Sequence, residues 1–327
     1  MKASMRIFSI VLLCALTVAG CSSSMIRSGS SRVIAKDRDF IVLRVGDDDA
    51  RSLAKRYLGD TALYWVIEDA NPLPIKPGQE IVIPLHRENP TGIDYAGYQT
   101  VPILCYHRFG TRADHMEISP QKFREQMEYL KRNNYRVISL KSLLGFLKGE
   151  QQLPKRAVVL TIDDGHRSIY REAFPILKEY GYPATVFVYS DYVNNGGLKT
   201  KEMKAMTKSG LISIQPHSKT HSNLAVRQVG ESKSQYQRRI RREISIPNEL
   251  LVKQLGERPR FYAYPFGDSN DLVINELQSN GMLLGLTVQR QGNAAFTYPY
   301  LVHRTMIFGD RDLQAFKKSL VTFRAFD

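Results

Sequence analysis

The sequence predicts an α/β fold, with alternating strands and helices over residues 98–327 and a small α+β unit ahead of it over 39–85. Three observations lead there. Short apolar, β-branched runs recur at 101–106, 157–162, 184–189, 211–214, 261–264 and 283–288. Helical periodicity fills the gaps, at about 120–133, 140–148, 168–180, 200–209, 234–255 and 270–280. Strands separated by helices make a parallel sheet, open or closed into a barrel, because parallel neighbours need a crossover. The chain's 327 residues, 43% hydrophobic, are enough for one large core and one small one.

Taken in order, the chain opens as an export signal. Lys2 and Arg6 form a basic start, residues 7–18 an apolar centre, and Val18-Ala19-Gly20-Cys21 a small-residue cleavage site. The apolar centre is short for a membrane span. The tetrapeptide resembles the bacterial lipobox, which implies cleavage before Cys21, lipid on its thiol and attachment to a membrane of the cell envelope. Residues 1–20 are then a signal peptide and 21–38, serine-rich from Ser22 to Ser31, a flexible tether. The three cysteines make no disulfide framework, since Cys14 lies in the signal, Cys21 takes the lipid and Cys105 falls alone on an apolar strand. A formal charge of +14 suits anionic surroundings such as wall polymers or lipid head groups. Nucleic acid is not expected as a partner of an exported lipoprotein.

Residues 39–85 read as strand, helix, helix, strand. Phe40-Ile41-Val42-Leu43-Arg44-Val45 alternates, and Asp47–Asp49 supplies a cap for a helix carrying Leu53, Ala54 and Tyr57. A second short helix covers 62–69 and contains Trp65, the only tryptophan, which reads as core. The order of elements and the Lys-Pro-Gly-Gln-Glu-Ile-Val-Ile-Pro ending (76–84) resemble a LysM module, and the resemblance implies binding of N-acetylglucosamine-containing glycans. Residues 86–97, with Pro90, Gly92 and Gly97, read as a linker. In the larger domain, Phe123, Met127 and Leu130 share one face of the 120–133 helix. The basic run Gln235–Arg242 reads as a solvated helix face.

The chemistry is concentrated where the apolar run 157–160 leads into Thr161-Ile162-Asp163-Asp164-Gly165-His166. Two adjacent carboxylates at the lip of an apolar core are costly unless they have a task. Neighbours on a strand point apart, which suits one carboxylate on a metal and one free to handle protons. Capping of the helix that follows is the structural alternative. A second strand signal, 212–214, leads into Gln215-Pro216-His217-Ser218-Lys219-Thr220-His221. On an extended strand the two histidines would stand ~13 Å apart. On a helical turn, with Ser218 as its cap, they would share a face at ~5–6 Å. Two imidazoles, one carboxylate and an open position form a ligand set of catalytic zinc.

Thr-Ile-Asp-Asp-Gly (161–165) and His-Ser-Lys-Thr-His (217–221) resemble the first two motifs of the polysaccharide deacetylase family, the NodB-homology domain of carbohydrate esterase family four. Val101–Phe109 resembles the opening strand of many members, and Tyr262-Ala263-Tyr264-Pro265-Phe266-Gly267 their third motif. The resemblance covers roughly 98–327 and implies a distorted, incomplete (β/α) barrel with its site at the C-terminal strand ends. It implies a divalent cation, zinc or alternatively cobalt, nickel or iron, on Asp164, His217 and His221. It makes Asp163 the general base, with an oxyanion donor at the backbone N–H near Phe266. The activity implied is removal of acetyl groups from N-acetylglucosamine units of peptidoglycan or poly-N-acetylglucosamine.

Two departures follow from the same comparison. Leu301-Val302-His303 matches a late motif whose histidine is the acid, although the frame also admits Arg304 as the important position. The third motif usually opens with an arginine that orients the base, where this chain has Ala263, and Arg304 is the candidate replacement. His107 is a further candidate for the pocket. The alternatives are a catalytically silent glycan-binding lipoprotein and a glycoside hydrolase using Asp163 and Asp164. Adjacent residues are poorly spaced for the latter.

Overall fold

The computed structural model describes residues 29–86, 89–111 and 115–326, so the export signal and Cys21 lie outside the described residues. The chain divides into two compact units after Leu85.

In the first unit, strands Arg32–Lys36, Phe40–Arg44 and Glu80–Pro84 form an antiparallel sheet. Helices Ala50–Leu58 and Tyr64–Ala70 complete it. Asp49 caps the first helix by accepting the Ser52 amide at 2.7 Å, and Gly59 ends it at φ 81°. Ile41, Leu43, Leu53, Ile67, Ile81 and Ile83 are buried together, with Trp65 also buried. The expected tether is too long: residues 32–36 pair as an edge strand, whose side chains are all exposed and so give no apolar pattern.

In the second unit a parallel sheet runs in the order Ile212–Pro216, Ala184–Val188, Ala157–Ile162, Ile103–Tyr106, Thr305–Met306. Arg136–Ile138 pairs with the start of Ala157–Ile162. A second parallel pair, Phe261–Ala263 with Leu284–Leu286, connects onward through a Leu286–Val302 bridge. Between Ile212–Pro216 and Phe261–Ala263 the Gln215 side chain accepts the Arg260 and Phe261 amides at 2.9 and 3.0 Å. The result is the distorted, incomplete barrel expected.

Alternation along the strands sorts their side chains. Leu104, Tyr106, Val158, Leu160 and Ile162 pack outward with Phe123, Met127 and Leu130 of the helix Pro120–Arg132. Ile103, Val159, Phe187, Ala263, Leu286 and Val302 pack in a second cluster inside the strands. Thr161 and Asp163 follow Val159 on this inner face, so the carboxylate arrives at the mouth of the barrel. The expected linker is too long as well. Ile93–Asp94 and Gly97–Gln99 are strands of a small sheet with Phe323–Ala325. Gly97 is required there because the Arg324 carbonyl occupies the space a Cβ would need.

Candidate active site

Ala157–Ile162 ends in Asp163, whose amide still donates to the Tyr106 carbonyl at 2.9 Å. Asp164 then takes φ 69° and Gly165 φ 71°. A Cβ on Gly165 would lie 2.8 Å from Val188 Cγ1, so only glycine passes there. This reversal turns Asp163 into the barrel and Asp164 toward the cleft.

The expected helical turn at 217–221 is not what brings the two histidines together. Ser218 and His221 have φ 73° and 61°, and Ser218 Oγ accepts the His221 amide at 2.9 Å, closing a tight loop. The loop docks on the neighbouring strand end, with the His217 amide donating to Val188 and the Ser190 amide to Ser218. Buried Glu243 braces it from the long helix Lys233–Leu255, accepting the Lys219 and Thr220 amides at 2.9 Å each and the Thr220 hydroxyl at 2.8 Å. On that helix Arg239 turns to Glu231 at 2.8 Å, while Arg238, Arg241 and Arg242 are exposed.

Asp164 Oδ1 lies 3.7 Å from His217 Nε2 and 3.3 Å from His221 Nε2. These distances suit the ~3.4 Å edge of a tetrahedron whose centre holds ligands at zinc-like lengths. Asp164 Oδ1 is buried without a hydrogen-bond partner. His217 Nδ1 lies 2.8 Å from the Ala263 carbonyl, which can only accept, so the proton is on Nδ1 and the Nε2 lone pair faces Asp164. Burial lowers the His217 pKa against the pull of Asp163 and Asp164, keeping the ring neutral. The residues therefore fit a divalent cation.

Asp163 has a different environment. Arg304 Nη1 and Nη2 donate to its two oxygens at 2.7 and 2.8 Å, while Nε donates to the Thr287 carbonyl at 2.8 Å. Cys105 Sγ stands 3.5 Å from Asp163 Oδ2, and burial keeps it a neutral thiol. Burial pushes the Asp163 carboxyl up, but the Arg304 guanidinium outweighs it and holds it well below the usual carboxylate range. Arg304, just ahead of the strand Thr305–Met306, thus makes the contact that Ala263 cannot.

His303 is not brought to this cluster. Val302 and Arg304 are fully buried on the inward face, so the residue between them points the other way. Its pKa is lowered by burial alone, with no charged neighbour contributing, and its amide and carbonyl are tied to the Asn293 side chain. His107 occupies the expected neighbourhood instead. Donor atoms of Cys105, His107 and Asp163 all lie within 4.8 Å of one another. The signal was present in Cys105-x-His107, which alternation places on the inner face with Ile103. Phe266 takes φ 61° and places its ring 5.0 Å from His221. Of six non-glycine residues with positive φ among those described, four (Asp164, Ser218, His221 and Phe266) surround the cluster.

A polysaccharide deacetylase family model matches residues 150–285, the segment that supplies Asp163, Asp164, His217, His221 and Phe266. The chain carries a polysaccharide deacetylase domain. It is a hydrolase of amide carbon–nitrogen bonds. Over 218 residues the deacetylase is 28% identical to the poly-beta-1,6-N-acetyl-D-glucosamine N-deacetylase of Staphylococcus epidermidis, covering 64% of this chain and 73% of that one. Its fold is similar to IcaB from Ammonifex degensii (TM-score 0.62, 27% identity, 69% of this chain and 99% of that one). It is also similar to the Streptococcus pyogenes deacetylase PplD (TM-score 0.61, 24% identity, 69% and 99%).

Proposed function

We propose that the protein removes acetyl groups from N-acetylglucosamine units of an exported polysaccharide, with poly-β-1,6-N-acetylglucosamine favoured over peptidoglycan. The observation that carries this reading is the buried Asp164 oxygen facing two imidazole nitrogens without hydrogen-bond geometry to either, beside a second carboxylate already neutralised by Arg304. The names of the staphylococcal relatives support the choice of polymer.

Asp164, His217 and His221 would hold a divalent cation, zinc by its ligand set. When bound it supplies Lewis acidity, acidifying water and polarising the acetyl carbonyl. Asp163, kept ionised by Arg304, accepts the proton from the attacking water. So strongly held a carboxylate is a weak base, which suits a water that is already acidified. The Phe266 N–H, in its left-handed turn next to His221, is the candidate donor to the developing oxyanion. His107, in place of His303, is the imidazole outside the ligand set that can deliver a proton to the departing nitrogen. Water and amide become acetate and a free amine.

Two other readings lose ground. A glycoside hydrolase needs a carboxylic acid with a raised pKa, yet Asp163 and Asp164 are both lowered, their burial being outweighed by Arg304 and by His221 respectively. A silent glycan-binding protein drew its support from the missing third-motif arginine, and Arg304 makes that contact. Attachment through Cys21 and glycan binding by the LysM-like unit belong to the proposal, resting on the lipobox-like Val18–Cys21 and on the order of elements in the first unit.

The test is to incubate the purified protein with poly-β-1,6-N-acetylglucosamine and with peptidoglycan, measuring acetate and new reducing ends. Acetate from the former, lost on chelation, is expected. Reducing ends without acetate would contradict the proposal.

A further inference from the structure

The cleft does not stop at the cation ligands. Asp164 and His221 line one end of a cavity of about 240 Å³, whose other walls are Arg108, His166, Tyr189 and Tyr192. Through Arg108 and His166 it continues into a second cavity of about 460 Å³ past Phe109, Ser168 and Gly196.

Tyr189 and Tyr192 follow the strand Ala184–Val188 and form the side wall. Their rings stack at 5.0 Å with 7° between planes. Tyr189 is also 5.4 Å from the His221 ring, and Tyr192 is 6.5 Å from His166. Tyr192 is wedged in place, since a Cβ on Gly196 or Gly197 would lie 2.7 or 2.6 Å from its ring. The Gly197 amide donates to the Tyr192 carbonyl at 2.9 Å, and the Tyr192 amide to the Tyr189 carbonyl at 3.2 Å. The two rings are therefore held before any ligand arrives. Both residues are half-buried, and neither hydroxyl has a hydrogen-bond partner among the described residues. The barrel core does not need this pair, because neither residue belongs to its apolar clusters.

Preset aromatic surface carrying unpaired hydroxyls, in a cleft opening from the acetyl-cleaving centre, matches a pyranose unit. The sugar's C–H groups pack on the rings, and its hydroxyl or acetamide groups take the phenol hydrogen bonds. We infer that Tyr189 and Tyr192 form a glycan subsite that holds the sugar next to the unit being deacetylated. Chain length, and not the acetamide alone, then sets kcat/KM. This inference rests on the proposed deacetylase activity.

The test is acetate release from β-1,6-linked N-acetylglucosamine oligomers of graded length. Wild-type kcat/KM should rise with length, mainly through KM. Tyr189→Ala and Tyr192→Ala should each cost about tenfold on the longer oligomers and flatten the length dependence. Because Tyr192 is wedged against two glycines, Tyr192→Phe is the safeguard: it keeps the packing and should cost about threefold, the loss of one hydrogen bond. A folded variant with the wild-type length dependence overturns the subsite. So does a wild-type rate that ignores length, and in that case the deacetylase proposal still stands. Absence of acetate at every length overturns that proposal, and the subsite with it.

Discussion

Replacing Arg304 by methionine tests the arrangement around Asp163. Methionine keeps the apolar stem and much of the volume in the barrel, but removes both donors to Asp163 and the Nε bond to the Thr287 carbonyl. Asp163 would remain almost fully buried, with the Cys105 thiol at 3.5 Å and the His217 ring at 3.8 Å but no guanidinium to balance its charge. Removing one partner of a buried ion pair costs about 3–5 kcal/mol, because the other charge is left uncompensated. For a unit of this size, that is a fall in melting temperature of roughly 6–20 °C. The same change raises the Asp163 pKa, since the guanidinium that lowers it has gone. The assay is urea unfolding at neutral pH with chelator present, followed by near-ultraviolet tyrosine dichroism, because Trp65 reports on the other unit. Arg304→Met with Asp163→Asn should be less destabilised than the two single changes together, by about 1–3 kcal/mol. A cost below about 1 kcal/mol for Arg304→Met, or simple additivity, would refute the reasoning.

Three further outcomes are expected. His107→Asn should lower acetate release by about 10²–10⁴-fold, whereas His303→Asn should leave it within a few-fold; the reverse order would restore the late-motif assignment. Glu243→Ala frees the Lys219 and Thr220 amides of the histidine loop and should weaken metal binding by about 10–100-fold, read by competition with a chromogenic chelator. Gly267→Ala places a Cβ against Val288 at a residue with φ 79°. It should cost about 1–3 kcal/mol in unfolding free energy, and a neutral change would contradict the close approach of that turn.

Most of the site was legible in the sequence because its residues break the patterns around them. Asp163 and Asp164 end an apolar run where carboxylates are costly, and His217 and His221 follow another such run. Ala263, standing where an arginine was expected, directed attention to Arg304. What stayed hidden depends on three-dimensional register. Thr305–Met306 is a strand of two residues, too short to show alternation, so nothing indicated that Val302 and Arg304 face inward and His303 outward. The histidine loop closes through left-handed Ser218 and His221, which spacing alone cannot distinguish from a helical turn. Tyr189 and Tyr192 read as a strand end and its loop; their stacking depends on Gly196 and Gly197, whose approach is set by the chain reversal beyond them. Boundaries suffered in the same way, since Gly92 and Gly97 suggest a linker although Gly97 is a sheet residue pressed against Arg324.

The central claim, that Asp164, His217 and His221 converge on one cation, is tested most directly by metal analysis of the purified protein beside a His217→Ala/His221→Ala variant. About one divalent ion per wild-type chain is expected, with none in a folded variant. Acetate release should vanish on chelation and return when the metal is restored. Acetate release that persists in the demetallated wild-type protein, or equal metal content in the two proteins, would contradict the account.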